Sequence, residues 1–143
     1  MTQIVPFELE HYDRMGGLRE PMSPAHFGTD YRVLLDAYRQ RGLAWSLLDG
    51  DEVIACGGIV ILWPGVGEAW TVMGEKVKDY PLAVAKALRE GIERSGLRRI
   101  QATVRIDDGK ARKLIGLCGF KPEGILEGFG PDGADFVSYA RVR

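Results

Sequence analysis

The chain is 143 residues long, 45% hydrophobic and 27% charged, the size and balance of a globule with one real core. A formal net charge of −1 and a pI near 6.1 argue against a general nucleic-acid binder, which carries a basic face and a high pI. No apolar run approaches the roughly 20 residues of a membrane span, so no membrane partner is expected.

The opening, MTQIVPFELEHYDRM, has acids and no basic-then-apolar pattern, so no signal peptide is expected. The two cysteines stand far apart, which offers neither a disulfide framework nor metal spacing and points to the reducing cytoplasm. TQIVPF predicts a short first strand. ELEHYDRMGG predicts a short helix stopped at Gly16 and Gly17. SPAHFGTDYRVLLDAYRQRG predicts a second helix, with Ser23 as N-cap and Pro24 at its first position. Tyr31, Leu34, Leu35 and Tyr38 recur there at helical spacing, and Gly42 is the expected stop.

The period then changes. LAWSLLDGDEVIACGGIVIL is two apolar runs around Asp49-Gly50-Asp51, a hairpin signal. Gly57 and Gly58 inside the second run predict a bulge or a close backbone approach. WPGVG turns the chain, and EAWTVMG predicts the fourth strand. YPLAVAKALREGIERSG is the clearest helix, with Pro81 in its first turn and Leu82, Ala85, Leu88 and Ile92 on one face. RRIQATVRI predicts a strand with Arg98 and Arg99 at an exposed entry. DDGKARKLIGLCG predicts a helix capped by Asp107 or Asp108. FKPEGILEGF, a turn at GPDGAD, and FVSYARV predict a closing antiparallel pair. Trp45, Trp63 and Trp70 read as core or strand-face residues. With no repeat and no linker, residues 1–143 are expected as one domain. Its class is α/β, a mixed and mostly antiparallel central sheet flanked by helices, in the order β-α-α-β-β-β-α-β-α-β-β.

LIGLCGFKPEGIL, Leu114 to Leu126, places Cys118 in the last turn of a helix and Gly119 at the left-handed position that ends it. A helix C-terminus has the wrong dipole sign to activate a thiolate, and His11 and His26 are far away in sequence. Cys118 is therefore expected to be buried and inert.

The element order, together with DDGKARKLIGLCGFKPEGIL…DGADFVSYAR, resembles the GNAT superfamily of N-acetyltransferases. Its members commonly show Asn-x-x-Ala, a Tyr four residues on, then GF and EG, and close with an Asp before a final aromatic strand. Asp108-x-x-Ala111, Gly119-Phe120, Glu123-Gly124, Asp135 and Tyr139 match that shape. AWTVMGEKVKDYPLAVAKALREGIE further resembles a GNAT-like group found in tailed phages.

The resemblance implies transfer of an acetyl group from acetyl-CoA to a primary amine on a protein or small molecule, with no metal. It implies a cofactor slot between two parallel strands that part, where the main chain of Val72, Met73 and Gly74 pairs with the pantetheine arm. It also implies that the pyrophosphate sits on the start of the next helix, an anion on unpaired N–H groups and the positive dipole end. The family's Gln/Arg-x-x-Gly-x-Gly/Ala falls on Tyr80, Leu82, Ala83, Val84 and Ala85, with Pro81 between the first two. Tyr80 replaces the polar residue, and Ala83 replaces a glycine and adds a Cβ where phosphate would approach. Lys76 and Lys78 stand upstream as a source of charge. Asp108 falls on the family's cofactor-contacting Asn and serves equally as an N-cap. The family's proton-donating Tyr falls on Ile115, which cannot donate, so solvent, Tyr80 or Tyr139 takes its place. Glu68, at the start of the fourth strand, or a water chain is the candidate base. The alternative is a catalytically inactive GNAT-fold binding or assembly protein, encoded by a phage. The hairpin from Phe120 leaves a homodimer open.

Overall fold

The computed structural model describes residues 1–16 and 31–143. Strands β1 (Thr2–Pro6), β2 (Gly42–Asp49), β3 (Glu52–Trp63), β4 (Val66–Met73), β5 (Arg99–Arg105), β6 (Lys121–Leu126) and β7 (Phe136–Val142) form a 7-stranded sheet in the order β1-β2-β3-β4-β5-β7-β6. Helices α1 (Leu9–Arg14) and α2 (Tyr31–Gln40) precede β2, α3 (Pro81–Ser95) links β4 to β5, and α4 (Gly109–Leu117) links β5 to β6. All neighbouring strands are antiparallel except β4 and β5, which are parallel. This is the α/β class and the element order that the hydrophobic periods predict. The expected helix start at Ser23 and Pro24, the Gly17 stop and His26 lie outside the described residues.

Side-chain alternation divides the core into two faces. Val72 and Trp70 of β4 pack toward α1 and α2 with Phe7, Tyr31, Leu35 and Tyr38. Ile100 and Ala102 of β5 pack on the opposite face with Ile92 of α3, Cys118, Phe120 and Tyr139. Val84 of α3 joins Leu47 and Ile54 in a third cluster. Among the described residues, no helix is long and apolar enough to cross a membrane.

Several expectations are corrected. Leu82 is 85% exposed, and the buried side of α3 is Val84, Ala87 and Ile92. At 3.6 residues per turn Leu82 points about 200° away from Val84, so both cannot face the sheet. Gly42 does not stop α2 in a left-handed conformation; it opens β2 opposite Val60. Gly57 and Gly58 sit in unbroken register with Trp45 and Ala44, and the β2–β3 irregularity falls at Leu47/Leu48 instead. The close approach does occur: a Cβ on Gly58 would lie 2.3 Å from the Leu43 carbonyl oxygen. Trp45 and Trp70 pack against the core, but Trp63 is 60% exposed. Cys118 caps α4 as a buried residue, and Gly119 follows with φ 88°.

Candidate active site

Parallel β4 and β5 are matched at Val66–Arg99, Gly67–Ile100 and Glu68–Gln101, and there the pairing ends. Both strands continue. The Gly74 N–H donates to the Ile54 carbonyl at 3.0 Å, so β4 follows β3 to its end. The Ile106 N–H donates to the Asp135 carbonyl at 3.0 Å, so β5 stays with β7. Beyond Gln101 each strand keeps its outer neighbour but not the other, and among the described residues the main-chain groups on the facing edges of 69–73 and 102–105 have no strand partner. Interior backbone donors and acceptors need partners, so this opening is suited to an extended, amide-bearing ligand. Val72 and Met73 lie on the open edge, and Gly74 lies just beyond it.

Glu68 stands at the closed end of the gap, on the face turned toward α2. Its Oε2 accepts from Gln101 Nε2 at 2.8 Å. Gln101 Oε1 accepts from Arg99 Nε at 3.1 Å, and Arg99 grips Glu123 with Nη1 at 3.0 Å and Nη2 at 2.5 Å. Arg99 is therefore not the exposed strand entry expected of it: its side chain is 29% exposed and held as a two-point ion pair. Tyr38 of α2 adjoins this face, with its ring 5.6 Å from that of Trp70. Burial pushes the Tyr38 hydroxyl's proton affinity up, and the Glu68 charge adds to it. Gln101, Arg99 and Tyr38 escaped the sequence reading. The available signal was the alternation Arg99, Gln101, Thr103, Arg105, a polar face on an interior strand.

The wide end of the gap meets the start of α3. Tyr80 is the N-cap residue and gives no side-chain cap, and Pro81 has no N–H to offer. The Val84 N–H is already used, donating to the Tyr80 carbonyl at 3.0 Å. Helix geometry leaves the Leu82 and Ala83 amides without an intrahelical acceptor. The Ala85 amide belongs inside the helix. Two outward amides and the dipole of a 15-residue helix suit a phosphate oxygen. The nearby charges are less favourable: Lys76 is bound to Glu52 at 2.6 Å, while Lys78 is exposed. The Tyr80 hydroxyl donates to Asp49 Oδ2 at 2.6 Å, and this bond, with burial and nearby acids, raises its pKa to about 12. The parted edges and the Leu82 and Ala83 amides at the uncapped helix start are groups that suit the amides and pyrophosphate of acetyl-CoA.

Tyr139 lies elsewhere. It pairs with Ala102, the first β5 residue beyond the matched segment, and is 5% exposed on the α4 side. Its hydroxyl accepts from Arg112 Nε at 3.1 Å. The sheet thus separates Tyr139 from Glu68, and Tyr80 sits at the opposite end of β4. The three candidate catalytic residues are not brought together. Asp108 caps α4, accepting from the Ala111 N–H at 3.2 Å, a bond worth about 1 kcal/mol. Ile115 packs against the core beside Cys118.

Burial pushes the Cys56 thiol up to about 11 and raises that of Cys118 as well. A raised thiol pKa means less thiolate at mildly alkaline pH. A chromogenic disulfide reagent should react negligibly with the folded protein and release two equivalents after denaturation, matching its two free cysteines. Rapid reaction of either thiol in the native state would contradict the buried assignment.

The chain matches no family model and no curated protein. Solved structures do match. The ribosomal-protein-S18-alanine N-acetyltransferase of Escherichia coli superposes with a TM-score of 0.76 at 16% identity, covering 99% of this chain and 94% of that one. The fold is that of the GNAT acetyltransferases. A GNAT-family acetyltransferase of Streptococcus pneumoniae gives a TM-score of 0.74 at 16% identity, with both chains covered completely at 100%. A Bacillus subtilis acetyltransferase solved in complex with CoA gives 0.74 at 16% identity over 100% of this chain and 99% of that one. At these identities the likeness to GNAT structures is one of architecture.

Proposed function

We propose that the protein transfers an acetyl group from acetyl-CoA to a primary amine. The observation that carries this reading is the parting of β4 and β5 directly beyond the Glu68–Gln101 pair. When bound, acetyl-CoA supplies an activated acetyl group as a thioester. The open edges of β4 and β5 pair with the pantetheine amides, and the Leu82 and Ala83 amides receive the pyrophosphate. Glu68 accepts the proton that the acceptor ammonium must lose before its nitrogen can attack. Main-chain N–H groups along the gap polarise the acetyl carbonyl, and fixing both reactants there supplies much of the rate. Tyr139 lies across the sheet from Glu68 and the Tyr80 proton is committed to Asp49, so solvent returns the proton to the departing thiolate.

Calorimetric titration with acetyl-CoA, a thermal-shift series and a thiol-release assay over alkyl diamines, lysine peptides and peptide N-termini test this. Heat, stabilisation and amine-dependent thiol release are expected, since a ligand that binds only the native state stabilises it. Neither heat nor stabilisation at millimolar acetyl-CoA would overturn the reading and leave a non-catalytic assembly role.

A further inference from the structure

The Glu68 carboxylate is not loose in the gap. One of its oxygens is occupied by the Gln101 amide at 2.8 Å. That amide has two chemically opposite ends, and only its NH2 end is welcome beside a carboxylate. The end it presents is decided on its other side, where Arg99 Nε donates to Gln101 Oε1 at 3.1 Å. A guanidinium has no acceptor, so it accepts only the amide oxygen as neighbour and turns the nitrogen to Glu68. The guanidinium is itself fixed in plane by its two bonds to Glu123, which sits at the β6–β7 irregularity between Pro122 and Gly124.

We infer that Arg99 is a positioning residue for Glu68, acting through Gln101 to orient the carboxylate at the closed end of the gap. The inference rests on the reading of Glu68 as the base. The relay is directional, from Glu123 to Arg99, to the Gln101 oxygen, to the Gln101 nitrogen, to Glu68. It leaves the second Glu68 oxygen for the acceptor's proton. Tyr38 of α2 also interacts with Glu68, and the uncharged Val60 of β3 pairs beside it. Arg99 places a positive charge at one amide's remove, and Glu123 an opposing negative one. Lysine cannot reproduce the three-point geometry, because it lacks the planar fork.

The test reads the Gln101 side-chain NH2 by nitrogen-15 NMR in the free protein, for wild type, Arg99→Met and Arg99→Lys. In wild type one NH2 proton, held on Glu68, should resonate downfield of a free amide, and Arg99→Met should move it back toward the free position. Gln101→Leu removes the donor while leaving the Arg99–Glu123 pair in place. Steady-state rates should show kcat falling about tenfold in Arg99→Met and Gln101→Leu, since a misplaced base costs rate rather than cofactor binding, with KM for acetyl-CoA unchanged. Arg99→Lys should restore little of either readout. A Gln101 NH2 resonance unmoved in Arg99→Met would overturn the inference. Because the NMR reading needs no acetyl-CoA, a protein that shows the resonance shift but binds no acetyl-CoA would sink the transferase reading alone.

Discussion

Replacing Glu68 with glutamine should lower kcat by about 100-fold or more at neutral pH and leave acetyl-CoA affinity and Tm unchanged. The affinity is unaffected because the gap binds through main-chain groups on β4 and β5. The stability is unaffected because the new amide oxygen can still accept from Gln101 Nε2, which donates to Glu68 Oε2 at 2.8 Å in the native chain. What is lost is the proton acceptor. An alkyl ammonium with a pKa of about 10 is almost wholly protonated at neutral pH, so a base beside it decides the rate. The defect should therefore shrink as pH is raised toward the acceptor's own pKa, where solvent supplies the free amine. Rate measurements at several pH values would show this convergence. A variant as fast as wild type at neutral pH would remove Glu68 from the chemistry.

The second large effect falls on stability. A Cβ on Gly42 would lie 1.9 Å from the Ile59 carbonyl oxygen and 2.9 Å from its carbon. Both are backbone atoms, so no side-chain rotation relieves the clash, and β2 must separate from β3 where α2 hands over to the sheet. Gly42→Ala should cost about 3 kcal/mol and lower Tm by about 10 °C. Gly116 provides the opposite case. It lies in α4, and a Cβ there would meet nothing within 4 Å. Gly116→Ala should stabilise the protein by about 0.5–1 kcal/mol through helix propensity. Thermal unfolding of the two variants should move in opposite directions, and a Gly42→Ala protein with wild-type Tm would contradict the close strand packing.

The order of elements was legible because the apolar period switches from helical to alternating at Gly42 and again at either end of α3. Asp108 and Gly119 could be read as caps because capping is local chemistry, visible in a few adjacent residues. The active-site geometry is only partly of that kind. Glu68 stood out as an acid at a strand start, but its partner Gln101 is fixed by the register of a parallel strand on the far side of α3. Arg99 looked like a surface charge because its partner Glu123 lies at an irregularity of β6 that sequence alone does not mark. The parting of β4 from β5 is least legible of all. There Gly74 and Ile106 still hold each strand to its outer neighbour, and missing pairs leave no trace in residue type. The buried side of α3 was misread because Leu82 is apolar yet overhangs the helix start.

The most direct measurement maps backbone amide resonances while acetyl-CoA is added to the full chain. The predicted shifts concentrate on 69–73 of β4, on 102–105 of β5, and on the Leu82 and Ala83 amides, the groups without strand or helix partners. Shifts confined to another surface, or none at millimolar acetyl-CoA, would show that the gap between β4 and β5 is not a cofactor slot.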